Sequence, residues 1–310
     1  MLSARGNALP GQPCGTHILP RSHRIANRES RIANTLKFRR MSVRAPAVAG
    51  SFYEPTPDRL RAQVAQCLDE NPAAPNKEPF IGAVVPHAGL MYSGHVAGAF
   101  YKSAALPKRY VILCPNHTGL GHFAAINREG AWRTPLGDAR IDAPLAEELM
   151  KRAPMLAEDS KAHAREHSLE VQLPFLQALA GDFTFVPLCL ATHNYALCEE
   201  IGSAIADVVR GQDGVGILAS SDLNHYEDQR TTLRKDQLAI DEVVELDPRG
   251  LWDAVEEHDV SMCGFIPATV MLIAAKELGA ARARLLKHAT SGDVNGDYGH
   301  VVGYAALTIS

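Results

Sequence analysis

The sequence predicts an α/β protein, a single large domain with a mostly parallel or mixed central sheet flanked by helices. Three features predict it. Short apolar runs recur between residues 80 and 219, stretches of helical spacing alternate with them, and the runs close on prolines or polar clusters. Strands covered by helices on both faces read as continuous apolar runs rather than as alternating ones.

Each element follows in order. Pro57–Asn71 places Leu60, Val64 and Leu68 four apart, giving a helix with Thr56 as its cap and Pro57 at its first position. Phe80–Val85 is a buried strand ending at Pro86, and a helix covers Gly94–Ser103. Tyr110–Cys114 is another buried strand ending at a proline, and Ala143–Arg152 is helical. Ser168–Ala180 is helical with Leu169, Leu173 and Leu176 on one face, and Pro174 marks a kink or a later start. Phe183–Leu188 is a strand, Tyr195–Arg210 a helix and Val215–Ala219 a strand. Helices over 231–246, 248–257 and 265–278 precede two closing strands, Arg284–His288 and Val301–Ile309, expected as antiparallel edges.

The chain has 310 residues, of which 46% are hydrophobic, enough for a sizeable core. No run of about 18 apolar residues suggests a membrane span. Residues 1–40 hold eight Lys/Arg against the single acid Glu29. The remaining 23 basic and 34 acidic residues give 41–310 a net charge of −11, which argues against a nucleic-acid surface. Residues 1–40 fit a disordered tail or an organelle transit peptide. Composition favours a third reading, in which Met41 is the true start of a domain over 41–310. Six cysteines without a C-x-x-C pair are too sparse for a disulfide framework, so a reducing compartment, the cytoplasm, is expected.

Ligands of such sheets bind beyond the strand ends, where loops carry polar groups. Three strands here end in polar clusters: Pro86-His87-Ala88-Gly89 followed by Tyr92-Ser93-Gly94-His95, Pro115-Asn116-His117-Thr118-Gly119, and Ser220-Ser221-Asp222-Leu223-Asn224-His225-Tyr226. His87 and His117 share one layout, strand, proline, histidine and nearby glycine, that can aim an imidazole into a cavity. Either alone reads more simply as a histidine bonded to a loop carbonyl. As a pair they suit metal ligation or general base work. Asp222 and His225 are acid–base candidates, although Asp222 also suits a helix N-cap.

Glu166-His167-Ser168-Leu169-Glu170 reads as a helix start, with His167 and Glu170 on one face. They are expected at the pocket rim, orienting the ligating groups, and Tyr92 is expected in the pocket wall. Acids at a helix start are favourable in any case. Cys263 precedes an apolar helix whose N-terminus should lower its thiol pKa. Local sequence alone reads it more simply as a buried cysteine.

Taken in order, Ala49-Gly50-Ser51-Phe52-Tyr53, Pro86-His87-Ala88-Gly89, Pro115-Asn116-His117, Arg133-Thr134-Pro135-Leu136-Gly137, Glu166-His167-Ser168-Leu169-Glu170, Ser220-Ser221-Asp222 and Cys263-Gly264 resemble the Memo family. Ser291-Gly292-Asp293 and Val302-Gly303-Tyr304-Ala305 are similar to its prokaryotic branch, AmmeMemoRadiSam system protein B. The resemblance covers about residues 45–310. It implies a fold like that of class III extradiol ring-cleaving dioxygenases, with a non-haem metal pocket. Two histidines and a cysteine hold the metal in that family, and these map onto His87, His117 and Cys263, with Asp222 nearby. The resemblance implies iron or copper, and the mixed donor set also suits zinc. Cysteine stands where the dioxygenases place glutamate, so ring cleavage is not carried over. Thr118 stands where several Memo proteins have a second histidine.

The resemblance thus implies a metal-dependent redox protein, possessing a small-molecule or peptide substrate, with no nucleic acid and no membrane involved. Its alternative is a non-catalytic accessory protein that binds a peptide or anion, since eukaryotic Memo is associated with phosphorylated receptor tails. The branch name points to radical-SAM and Amme-domain proteins as partners. A third reading makes Cys263 a nucleophile with a histidine base.

Overall fold

The computed structural model describes residues 42–72, 76–212 and 214–310. The expectations for residues 1–40 and for a start at Met41 lie outside the described residues. The chain opens with β1 (Val43–Arg44), α1 (Pro57–Asp69), β2 (Gly82–Val85), α2 (Leu90–Ser103) and β3 (Arg109–Pro115). Short strands β4 (Ala124–Ile126), β5 (Ala131–Thr134) and β6 (Gly137–Ile141) precede α3 (Ala143–Arg152), β7 (Ala157–Glu158) and α4 (Ser160–Ala164). A 3₁₀ turn at Glu170–Gln172 leads into α5 (Leu173–Leu179), β8 (Thr184–Leu190), α6 (Tyr195–Val209) and β9 (Val215–Ser220). Then come β10 (His225–Glu227), α7 (Gln229–Val244), α8 (Pro248–Glu257), α9 (Phe265–Glu277), β11 (Ala283–Thr290), the one-turn α10 (Gly292–Asn295) and β12 (Val301–Ile309).

The sheet is mixed, in the order β1-β5-β6-β8-β3-β9-β2-β12-β10, with β11 beside β12. Its centre is parallel: Cys114 of β3 lies opposite Cys189 of β8, Leu113 opposite Ala219 of β9, and Val85 of β2 opposite Ser220. β12 runs antiparallel to both β2 and β11, as expected of closing strands. Apolar clusters cover both faces. One contains Leu113, Leu188, Ile205 and Leu272, the other Phe100, Tyr101, Phe175 and Phe185. Because β2, β3 and β9 run in parallel, the loops that follow them emerge at the same edge of the sheet. That edge receives His87, His117 and Asp222.

The structure departs from expectation in places. α2 starts at Leu90, four residues early, because its glycines serve contact rather than termination. A Cβ on Gly98 would come within 2.2 Å of the Cys67 carbonyl oxygen, so the small residue lets α2 approach α1. Thr56 stands at the N-cap of α1 but makes no side-chain cap bond. Pro174 marks a later start, in the first turn of α5, and not a kink. Consequently 166–169 is not helical, and His167 and Glu170 do not share a helix face. Among the described residues no helix is long and apolar enough to cross a membrane.

Candidate metal-binding cavity

A cavity of about 820 Å³ opens at the carboxyl edge of the parallel strands. His87, His117, His167, Asp222, His225 and Cys263 line it, and Tyr92 is in its wall. Three imidazoles gather there. Ring centroids lie 5.3 Å apart for His87 and His117, 5.5 Å for His87 and His167, and 4.7 Å for His117 and His167. One ligand atom from each of the three lies within 4.8 Å of the others, a group that could hold a metal ion.

The network behind the rings decides which nitrogen each presents. Ser220 Oγ donates to the Ser168 carbonyl at 2.7 Å and accepts from Gln172 Nε2 at 2.8 Å. A hydroxyl has one proton and two lone pairs, so its 3.0 Å contact with His87 Nδ1 must be accepted from the ring. His87 is therefore protonated at Nδ1 and turns the Nε2 lone pair to the cavity. Burial, then the neighbouring histidines, hold its pKa well below the usual range, so it is neutral.

His117 is fixed by Glu166. Its backbone N–H donates to Oε2 at 2.7 Å, and Nδ1 lies 2.9 Å from Oε1. Ser168 adds its N–H at 3.0 Å and its hydroxyl at 2.6 Å to Oε1. Burial works to raise the Glu166 pKa, but the bonds from His117 and Ser168 outweigh it and take it down to about 2. An ionised carboxylate only accepts, so His117 also carries a proton on Nδ1. Carboxylates commonly orient metal-ligating histidines in this way. His167 stacks on His117, packs against Phe52, and keeps Nδ1 3.6 Å from Glu166 Oε1. Burial lowers its pKa.

Asp222 is buried, and its Oδ1 accepts from the His87 N–H at 2.7 Å and the Ala88 N–H at 3.2 Å, so it shapes the loop carrying His87. Burial raises its pKa despite those bonds. The expected N-cap role is filled instead by Asp228, which bonds the Thr231 N–H of α7. His225 donates its backbone N–H to Ser261 Oγ at 2.7 Å, and its Nδ1 faces the Ser261 carbonyl at 2.8 Å. A carbonyl only accepts, so Nδ1 of His225 carries a proton.

Cys263 Sγ lies 3.3 Å from His87 Nε2 and 3.7 Å from the Asp222 carbonyl. The three-histidine group does not include it and has His167 beside His87 and His117. Its thiol pKa is raised, by burial and then by the Asp222 charge, and not lowered. The first amide of the turn, Gly264 N–H, donates to Ser221 Oγ, so it offers the sulfur no stabilisation. The nucleophile reading loses its basis with that shift. Glu170 also differs from expectation. It is buried away from the cavity and accepts from Arg44, from the Ala47 and Val48 N–H groups and from Tyr53. The role expected of it, orienting a histidine, belongs to Glu166.

A family model described as Memo-like protein matches residues 44–308. The chain belongs to the Memo-like family. Memo-like relatives include a MEMO1 family protein of Methanopyrus kandleri, 45% identical over 278 residues, with 85% of this chain and 98% of that one covered. A MEMO1 family protein of Sulfolobus acidocaldarius is 44% identical over 280 residues, covering 86% of this chain and 98% of its own. An uncharacterized protein of Escherichia coli K12 shares the fold at a TM-score of 0.50 and 14% identity, covering 74% of this chain and 99% of its own. The Memo-like domain is thus a single α/β domain with a mixed sheet flanked by helices.

Proposed function

We propose that this Memo-like chain is a metal-dependent redox protein whose cavity binds a divalent transition ion, iron or copper before zinc. One observation carries the reading. Nδ1 of His87 and His117 is tied back to Ser220 and Glu166, while one ligand atom from each of His87, His117 and His167 lies within 4.8 Å of the others. Imidazoles whose Nδ1 is held by an oxygen acceptor, gathered at one cavity, are what a metal site uses. His87, His117 and His167 would hold the ion. Cys263 supports the same centre from the His87 side, since imidazole with thiol suits iron, copper or zinc. When bound, the ion would supply Lewis acidity or one-electron chemistry at the cavity floor. Asp222 keeps the His87 loop in place, and His225 would carry protons at the rim.

The substrate is proposed as a small molecule or peptide, with the cytoplasm as setting and radical-SAM and Amme-domain proteins as partners. The test is elemental analysis of chain purified under anaerobic, reducing conditions. One iron or copper per chain is expected, falling at least tenfold in His87→Ala and His117→Ala. In a cobalt-loaded sample, Cys263→Ser should abolish any thiolate-to-metal charge-transfer band. A fully metal-loaded His87→Ala variant would refute the centre.

A further inference from the structure

Resting on the reading of His225 as the proton carrier at the rim, we infer that Asn224, which does not itself line the cavity, is its positioning residue. Asn224 holds Ser261 so that the neutral His225 ring keeps its proton on Nδ1 and offers Nε2. Asn224 is fully buried, and its partners decide which way its amide faces. The Ser261 N–H can only donate, and it lies 3.1 Å from one end. Glu227 Oε2 lies 2.7 Å from the other end, and bonds from Lys235 and then Asn224 keep that carboxyl ionised, so it only accepts. The first end is therefore Oδ1 and the second Nδ2. The backbone is fastened too. The Asn224 N–H donates to Asp236 Oδ1 of α7 at 2.9 Å, and its carbonyl accepts from the Gly303 N–H of β12 at 2.9 Å. Asp236 is fully buried, and its Oδ2 meets His288 Nε2 of β11 at 2.8 Å.

From this anchor the effect runs outward through Ser261. Its hydroxyl has one proton, given to Asn224 Oδ1 at 3.1 Å in preference to the His225 carbonyl at 3.5 Å, and it accepts the His225 N–H at 2.7 Å. Two bonds from Ser261 thus end on one amide oxygen, and they deliver the Ser261 carbonyl to His225 Nδ1 at 2.8 Å. The hydrogen bond that one ring nitrogen makes sets where the proton of a neutral imidazole sits. Nε2 is then the atom of His225 that can take up a proton and give it back. Released from the carbonyl, the ring would share its proton between both nitrogens, and Nε2 would be bare only part of the time.

The experiment is nitrogen NMR of isotope-labelled imidazoles in the full chain, metal-stripped and then zinc-loaded. It is run at about pH 9, above the ordinary histidine range, so that the ring is neutral. His225 is assigned by its loss in His225→Gln. The native ring should carry its proton on Nδ1 and none on Nε2 in both samples. Asn224→Leu, which keeps the bulk and removes the amide, should lower the Nδ1–H fraction at least about twofold. Ser261→Ala, which cuts the hydroxyl link, should do the same. Ile205→Ala, a core substitution outside this network, should lower the melting temperature and leave the fraction unchanged, which separates positioning from general loosening. A native His225 protonated on Nε2 would overturn the inference. So would an unchanged fraction in folded Asn224→Leu or, where that variant does not fold, in Ser261→Ala. Zinc uptake is measured in the same samples. A chain that takes no metal but keeps the proton on Nδ1 defeats the proposed function alone, and a zinc-loaded chain with the proton on Nε2 defeats this inference alone.

Discussion

Glu166 shows how one side chain determines what two others can do. Its carboxylate is buried and accepts four bonds, two from His117 and two from Ser168. Glu166→Gln would keep the shape but set an amide N–H₂ against N–H donors. A loss of about 1–3 kcal/mol is expected in urea unfolding, with metal affinity falling about 10–100-fold. The pH dependence has a definite sign. The folded pKa of about 2 lies below the unfolded 4.5, so the stabilisation is complete above the unfolded value and is lost as pH falls through the folded one. The stability gap between the native chain and Glu166→Gln should therefore narrow between about pH 4.5 and pH 2. A gap that stays constant across that range would mean the carboxylate's charge contributes nothing.

At the scale of elements, strand ends were legible and turns were not. The apolar runs and terminal prolines of β2 and β3 announce loops that carry His87 and His117, because parallel strands share an edge. The segment 166–169 misled for a physical reason: three-residue spacing implies a shared face only inside a helix, and here the helix starts later. Adjacent residues in the turn point apart, sending Glu166 to His117 and His167 into the cavity. Strands β4 to β7 are two to five residues long, too short to show a period. Cys263 was legible as a site member, but its charge state was not, since Asp222 lies 41 residues away in sequence. Gly264 fixes the placement of Cys263. A Cβ there would come within 2.4 Å of the Ser220 carbonyl and 2.5 Å of Ser221 Cβ, both backbone-anchored against β9. Gly264→Ala is expected to cost about 1–3 kcal/mol by overpacking and to move the sulfur from His87. Thermal unfolding, with thiol alkylation rates, would check it: native stability with native reactivity at Cys263 would show that the turn yields freely.

Across the whole molecule, the beginning of the described chain is fastened by one clasp to the segment that carries Glu166 and Glu170. Arg44 on β1 donates to Glu170 Oε2 at 2.5 Å, to the His163 carbonyl at 2.7 Å and to the Glu166 carbonyl at 2.6 Å, and it covers the Trp132 ring at 4.1 Å. The Glu170 side chain is fully buried and that of Arg44 is 10% exposed. The partners are 126 residues apart, a separation at which no periodicity in the sequence can signal contact. Glu170 also holds Ala47, Val48 and Tyr53, so the same carboxylate sets the path of the chain around Phe52, which packs on His167. Arg44→Leu would leave a buried carboxylate without its cation, a loss of about 3–5 kcal/mol. The damage should spread along this path. Amide hydrogen exchange should accelerate over residues 42–56, and metal affinity should fall through the freed His167, although Arg44 does not line the cavity. Unchanged exchange there, with stability lowered, would mean that the clasp holds the fold without setting the site.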